Sequence, residues 1–177
     1  MTQCHLGLTG VLLVGGASTR FGSPKALARF RGETLAERGH RLLSGACDEV
    51  LVVGKARELR GLPFPLLDDG TDARAPIHGL VAGLRHAAHD TVVALPVDVP
   101  LITSDALRAL GEAGAVPSAR VPLPGAYPRA LLPALEAGVA AGDLSLRGVN
   151  GTTLEIPEDM LADADTPGAL AELERLA

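Results

Sequence analysis

Short apolar runs alternate with longer stretches of helical hydrophobic spacing along the first 113 residues of the chain. The apolar runs are continuous, which is typical of strands that helices cover on both faces. Strand and helix patterns in turn predict βαβ units around a mostly parallel sheet. We therefore expect an α/β fold, a Rossmann-like three-layer α/β/α sandwich. The predicted strands are Gly10–Val14, Val50–Val53, Phe64–Leu67 and Thr91–Leu95, and the predicted helices are Thr34–Leu43, Pro76–Ala88 and one that Thr103 or Ser104 caps and that ends near Ala113.

The remainder of the chain has a less regular pattern. Residues 116–127 are rich in proline and give no assignment. Thr166 and Pro167 form an N-cap and first-turn pair, which predicts a terminal helix to Leu176. Because no linker or internal repeat interrupts the pattern, we expect residues 1–177 to form a single domain. The other predicted elements are helices at 128–141 and 144–149 and a strand at 154–156.

A glycine-rich loop, VGGASTRFGSPK over residues 14–25, follows the first predicted strand. Ligands of parallel α/β sheets bind beyond the carboxyl ends of the strands. Glycines let backbone N–H groups approach an anion closely, and Arg20 and Lys25 add positive charge, so phosphate is the expected ligand. The P-loop spacing and GxGxxG are both absent, which excludes the two best-known phosphate loops. A surface turn with incidental charges is the alternative.

The loop resembles that of molybdenum cofactor guanylyltransferases and related small nucleotidyltransferases, whose pattern is GGxSxRxGxxK. The matching positions are Gly15, Gly16, Ser18, Arg20, Gly22 and Lys25. The resemblance implies a nucleotidyltransferase-like fold and transfer of GMP from GTP to the phosphate of molybdenum-molybdopterin, with release of pyrophosphate. It implies catalytic roles for Arg20, Lys25 and Asp98. The nucleotide-binding residues that it implies are Leu13, Val14, Gly15, Gly16, Ser18, Arg20, Lys25, Gly54, Asp68, Gly79 and Asp98.

Asp98 follows the fourth predicted strand, in the sequence PVDVP. The flanking prolines stiffen the backbone, and a carboxylate in this place can hold Mg²⁺ together with substrate phosphates. The alternative, a cap for the next helix, is disfavoured because Asp98 lies about four residues too early. The resemblance implies that Asp98 is the metal ligand of a PxDxP motif, so Mg²⁺ is the expected cofactor.

Two further segments resemble the family and carry acidic residues. The segment APIHGLVAGL, residues 75–84, resembles GPLxGLxxGL, and counting back from it places Asp68 where the family has a nucleotide-contacting Asp. A plain turn is the alternative for Asp68 and its neighbour Asp69. Gly54 matches a position near the base, where contact must come from the backbone.

The segment ADADTP, residues 162–167, has Asp163 and Asp165 where the family often has Asn. The resemblance connects these positions with the acceptor. Ionised carboxylates cannot donate hydrogen bonds, so the acceptor contacts must differ from those of the family. Asp165 is a second candidate metal ligand beside Asp98. A cluster of Asp at a helix N-terminus is the alternative.

Composition narrows the classes of partner. Hydrophobic residues make up 47% of the chain and the net charge is −5, which gives no basic face for nucleic acid and no basic run for a membrane surface. Cys4 and Cys47 are isolated, and no signal peptide is evident, so we expect a cytoplasmic protein. The expected partners are GTP and molybdopterin as substrates, with transient contacts to other cofactor-biosynthesis or acceptor proteins.

Alternatives remain for the nucleotide base that the protein uses and for the reaction that it catalyses. Gly15 and Gly16 are typical of guanylyl enzymes, whereas the aspartates of residues 162–167 weakly favour another type. A phosphate acceptor is already ionised near neutral pH, since its second pKa is about 6, so no general base is required. The alternatives are a cytidylyltransferase, another small nucleotidyltransferase of this fold, and a non-catalytic nucleotide-binding domain.

Overall fold

A computed structural model describes residues 7–15, 21–22, 24–55, 57, 59 and 61–176. Within these residues the strands are β1 Leu8–Leu13, β2 Arg29–Phe30, β3 Glu33–Thr34, β4 Glu49–Gly54, β5 Leu67–Asp68, β6 Thr91–Pro96 and β7 Gly125–Pro128. Five of them form one sheet in the order β5-β4-β1-β6-β7, and β2 and β3 form a separate ribbon. The pairs among β5, β4, β1 and β6 are parallel, and β7 runs antiparallel to β6. The predicted mostly parallel sheet is confirmed.

The helices begin at signals that the sequence carries. Glu37 N–H donates to Thr34 Oγ1 at 3.1 Å and Thr34 N–H donates to Glu37 Oε2 at 2.7 Å, which is a capping box. Thr103 caps the third helix, and Pro76 occupies the first turn of the second. The helices of the described residues are α1 Leu35–Ala46, α2 Pro76–His86, α3 Ser104–Ala113, α4 Leu132–Ala140 and α5 Pro167–Leu176, with short 3-10 turns at 25–27, 129–131 and 158–161.

Helices cover both faces of the sheet, and this explains the continuous apolar runs. One hydrophobic cluster joins α1, α3 and α5 to one face, and a second joins α2 and α4 to the other. Gly39 of α1 and Gly83 of α2 let both helices approach β1 closely: a Cβ at Gly39 would lie 2.5 Å from Leu12, and one at Gly83 would lie 2.6 Å from Val11. The three-layer α/β/α arrangement is therefore as predicted.

The third predicted strand and the proline-rich segment differ from expectation. The strand predicted at 64–67 is wrong in its bounds, because only Leu67 of these residues pairs with β4, beside Asp68. Phe64 instead stacks on His40, with ring centroids 4.6 Å apart. Residues 116–127, which gave no assignment, lead into β7. Tyr127 of β7 is fully buried and donates to Pro122 O at 2.7 Å.

Two predicted elements of the C-terminal third do not form. Residues 144–149 form an irregular segment with a turn at 147–149 and not a helix, because the Asp143 and Ser145 side chains accept from backbone N–H groups two residues ahead. The predicted strand at 154–156 is reduced to one isolated bridge between Val116 and Thr153. The Asn150 side chain instead donates to backbone carbonyls of Gly114 and Ala126 and so ties this segment to the end of α3 and to β7.

The four parallel strands end at one edge of the sheet. The described residues that follow them, 14–15, 24–25, 55, 69–75 and 97–103, therefore lie at this edge, which carries the candidate site. Among the helices of the described ranges, none has the length and apolar character that a membrane crossing requires.

Candidate functional site

Lys25 lies at the centre of the carboxyl edge, where the 3-10 turn of residues 25–27 begins. Its Nζ donates to Asp98 Oδ2 and to Asp165 Oδ1, each at 3.0 Å, and lies 5.6 Å from the centroid of the Phe21 ring. The Lys25 side chain is 12% exposed, whereas Asp165 is 52% exposed. Three residues that the sequence singled out separately are thus brought together.

Asp98 and Asp165 stabilise the positive charge of Lys25. Burial lowers the pKa of its ammonium group, but the hydrogen bonds and charges of Asp98 and Asp165 outweigh burial and raise the pKa above 10.5. Lys25 is therefore a cation at neutral pH, as a ligand for phosphate oxygens must be.

The Asp98 loop is fixed from two sides. Val97 N–H donates to Leu13 O at 3.1 Å, which extends the pairing of β6 with β1 by one residue. Ala164 N–H donates to Asp98 O at 2.8 Å, which joins the C-terminal segment to this loop. The backbone of Asp98 is thus held while its side chain stays 26% exposed at the edge.

Asp163 and Asp165 contribute to different parts of the candidate site. Ala164 between them is fully buried, and its N–H bonds the Asp98 loop. Asp165 contacts Lys25, and Asp163 lines a cavity of about 430 Å³ on the β6 and β7 side. The cavity is lined by Pro96, Asp98, Val99, Val121, Leu123, Glu158, Leu161 and Asp163.

The predicted nucleotide residues around β1 form a tight packing contact. A Cβ at Gly15 would lie 3.2 Å from Gly54 Cα, and a Cβ at Gly54 would lie 2.7 Å from a methyl group of Val14. A Cβ at Gly79 would lie 2.7 Å from Leu13 Cδ2. Packing alone accounts for the small residues at these positions, and their contact with a nucleotide stays a prediction.

Asp68 lies at the end of β5 on the opposite side of the glycine loop from Asp98. Its Oδ1 accepts from Gly70 N–H at 2.9 Å, which is the local turn that was the alternative for this residue. The side chain also lines a cavity of about 300 Å³, so the turn and a ligand role are compatible. The cavity is lined by Lys55, Arg57, Asp68, Thr71, Asp72 and Arg74.

Sequence reasoning missed Lys55, which directly follows β4. Its Nζ donates to Asp69 Oδ1 at 2.7 Å, to Asp69 Oδ2 at 2.8 Å, to Ala73 O at 2.9 Å and to Thr71 O. Both side chains of the ion pair are under 10% exposed. A Lys after one strand and an Asp pair after the adjacent parallel strand was the signal that could have found the contact.

Gly16, Ser18 and Arg20 of the glycine loop lie outside the described residues. Across the ranges that the structure does describe, no group of three or more His, Cys, Asp or Glu side chains could hold a metal ion. The described residues instead bring together a pair of carboxylates, those of Asp98 and Asp165, which both contact Lys25.

Comparisons with known proteins agree with the fold and the loop. The sequence model of the MobA-like NTP transferase domain matches residues 10–153. The molybdenum cofactor guanylyltransferase of Pseudomonas fluorescens (strain Pf0-1) is 32% identical over 181 aligned residues, which cover 91% of this chain and 90% of that protein. Asp163 and Asp165 lie beyond the residues that the domain matches.

Two solved structures extend the likeness in fold. Molybdopterin-guanine dinucleotide biosynthesis protein A from Archaeoglobus fulgidus has a TM-score of 0.77 at 20% identity and covers 95% of this chain and 97% of its own. 2-C-methyl-D-erythritol 4-phosphate cytidylyltransferase from Thermus thermophilus has a TM-score of 0.67 at 21% identity and covers 94% and 96%. At such identities the likeness shows the fold alone. With the domain match and the Pseudomonas relative, the chain belongs to the MobA-like NTP transferase domain family.

Proposed function

We propose that this protein transfers GMP from GTP to the phosphate of molybdenum-bearing molybdopterin and releases pyrophosphate. The contact of Lys25 with Asp98 and Asp165 at the carboxyl edge of the sheet carries the proposal. The 32% identity to a molybdenum cofactor guanylyltransferase over nearly the whole chain supports the choice of nucleotide and acceptor.

The reaction requires positioning and charge stabilisation more than covalent chemistry by the protein. An oxygen of the acceptor phosphate attacks the α-phosphorus of GTP, and the bond from that phosphorus to the leaving pyrophosphate breaks, with its electron pair retained by pyrophosphate. Negative charge on the leaving group grows as the bond breaks. Lys25 would offset that charge, together with Arg20, Ser18 and the backbone N–H groups of the glycine loop.

The carboxylates of Asp98 and Asp165 fit a magnesium ion. Both lie 3.0 Å from one cation, the Lys25 ammonium, so their oxygens converge on a single positive charge. Together they would hold Mg²⁺, which keeps several waters and supplies charge neutralisation at substrate phosphates. Since Lys25 occupies these carboxylates in the described state, we infer that it exchanges them for phosphate oxygens when the triphosphate binds.

We assign one substrate to each of the two cavities. The cavity on the β4 and β5 side, which Asp68 lines, suits the nucleoside of GTP, and the cavity on the β6 and β7 side, which Asp163 lines, suits the acceptor. With this assignment the phosphates of GTP would lie at Lys25, between the two cavities. Asp165, which contacts Lys25, is proposed for the metal, and Asp163 for the acceptor.

Turnover is the test of this function. Protein, Mg²⁺ and molybdenum-bearing molybdopterin are mixed with GTP, CTP, ATP or UTP, and pyrophosphate release is measured. We expect release with GTP in clear preference. A strong preference for CTP would overturn the guanylyl assignment, and nucleotide binding with no release would favour the non-catalytic alternative.

A further inference from the structure

Lys55 holds a single loop, which consists of residues 69–73 between β5 and α2. An ammonium group has three N–H donors, and those of Lys55 are shared among both oxygens of Asp69 and the carbonyls of Thr71 and Ala73. The residue is 8% exposed, so water does not compete effectively for these donors. Lys55 is therefore saturated by the loop.

A buried ion pair is a costly way to gain stability. Desolvation of the two charges can exceed their attraction, and apolar residues of similar volume are often as stabilising. What a buried pair supplies in the best-attested cases is a single conformation. The Lys55 contact is therefore better explained by the shape of the loop than by the stability of the fold.

Further hydrogen bonds give the loop one shape. Asp69 Oδ1 accepts from Thr71 N–H at 3.2 Å, and Thr71 Oγ1 accepts from Ala73 N–H at 3.1 Å. Asp69 N–H also donates to Gly54 O at 3.4 Å, which ties the loop to the end of β4. The loop is thus fixed relative to Gly54, the position that the resemblance places near the base.

The fixed loop forms a wall of the 300 Å³ cavity. This volume is at the lower end of the range for small-molecule sites, about 300–1,000 Å³. Thr71 and Asp72 of the loop line this cavity, together with Asp68, Lys55, Arg57 and Arg74. A carboxylate accepts hydrogen bonds, so it favours a base edge that carries N–H donors, as guanine has at N1 and N2, over an edge rich in acceptors.

We propose that Lys55 is a positioning residue for the nucleotide base, which holds residues 69–73 so that Asp68 and the loop backbone accept one base and reject others. The inference rests on the proposed function, because it takes the β4 and β5 cavity as the nucleoside site. Lys55 itself contacts the loop, and it acts on the nucleotide through it.

Base selectivity is the readout that a purely structural role would not change. GTP and CTP affinities are measured by calorimetry with Mg²⁺ and without acceptor, for wild type, Lys55→Met and the double variant Lys55→Met with Asp69→Leu. The double variant removes both charges, so it keeps the test sound if the single variant unfolds. Leu84→Ala is the control: Leu84 is fully buried in α2 and does not line the cavity, so it lowers stability alone.

We expect each Lys55 variant that folds to lose at least about tenfold in the ratio of the two dissociation constants, since one clear hydrogen-bond difference has that scale. In turnover the same loss should fall on KM and not on kcat. Leu84→Ala should retain the wild-type selectivity. Unchanged selectivity in the double variant would overturn the inference.

The same measurements separate this inference from the proposed function. If wild type binds a triphosphate but releases no pyrophosphate with acceptor, the proposed function fails, and the selectivity ratios still decide the role of Lys55. If wild type binds neither triphosphate, both proposals are overturned.

Discussion

Two lysines follow neighbouring strands of this sheet and neutralise carboxylates in opposite ways. Lys25 bridges two side chains that lie 73 and 140 residues away, and one of them is 52% exposed. Lys55 takes all its partners from one loop, 14 to 18 residues ahead, with both charges buried. Water can reach the partners of Lys25, as the proposed exchange of carboxylates for substrate phosphates would require, whereas Lys55 is enclosed by the loop that it holds.

The largest expected effect is on stability at Lys55. Lys55→Met leaves the buried carboxylate of Asp69 unpaired and should lower the free energy of unfolding by about 3–5 kcal/mol, the scale for breaking one side of a buried pair. Urea unfolding followed by circular dichroism measures it. Lys25→Met should cost less, about 1 kcal/mol, because its partners Asp98 and Asp165 are 26% and 52% exposed and water can solvate them. Equal losses in the two variants would contradict the distinction drawn between the lysines.

The next effect is on rate. Lys25→Ala and Asp98→Ala should each lose at least about 100-fold in pyrophosphate release at saturating GTP, the usual scale for one preorganised charged group. Arg85→Ala is the matched control, since Arg85 pairs with Glu136 between two helices away from Lys25. Its rate should stay within about twofold of wild type, as a surface pair contributes little. Near-normal rates in either site variant would refute the site.

A third prediction concerns pH. The pKa of Lys25 is raised above 10.5 in the folded state, so the stability that its pairing contributes is complete below 10.5 and is lost as pH rises through the folded pKa. The difference in unfolding free energy between wild type and Lys25→Met should stay constant from about pH 6 to about pH 9.5 and shrink only at higher pH. A difference that already shrinks near pH 8 would mean that the partners do not hold the charge.

The smallest effect is expected at a cation close to Lys55. Arg57 pairs with Asp72, but the two side chains are 81% and 89% exposed. Arg57→Met should change the free energy of unfolding by less than about 0.5 kcal/mol, as exposed pairs do. A loss as large as that of Lys55→Met would show that burial is not what separates the two cations.

The sequence predicted those parts of the fold in which the burial of a continuous apolar run alone determines the element. Continuous apolar runs require cover on both faces, so β1, β4 and β6 and their helices were foreseeable. β7 was not, because its pairing depends on the burial of Tyr127 and on the antiparallel return from α3, neither of which has a local pattern. The helix predicted at 144–149 is wrong because the side chains of Asp143 and Ser145 accept hydrogen bonds from backbone N–H groups and so compete with helix formation.

The candidate site was predictable to a similar degree. Motifs placed Lys25, Asp98 and Asp165 at strand or helix ends, and parallel strands bring such ends together. The different contacts of Asp163 and Asp165 depend on how the C-terminal segment docks on the Asp98 loop, and the Lys55 contact depends on which charges the packing encloses. Spacing along a sequence shows which residues share an edge, but not which ions lose their water.

The 140-residue separation of Lys25 from Asp165 also affects the order in which these contacts can form during synthesis. At about 5–20 residues per second, the ribosome makes Asp165 about 7–28 s after Lys25, whereas Asp69 follows Lys55 within about 3 s. The loop of residues 69–73 can therefore contact Lys55 on a nascent chain that still lacks Asp165, the second carboxylate partner of Lys25. On the proposed function, a chain stalled between residues 98 and 165 would lack one carboxylate of the transfer site, so that site would be completed late in synthesis.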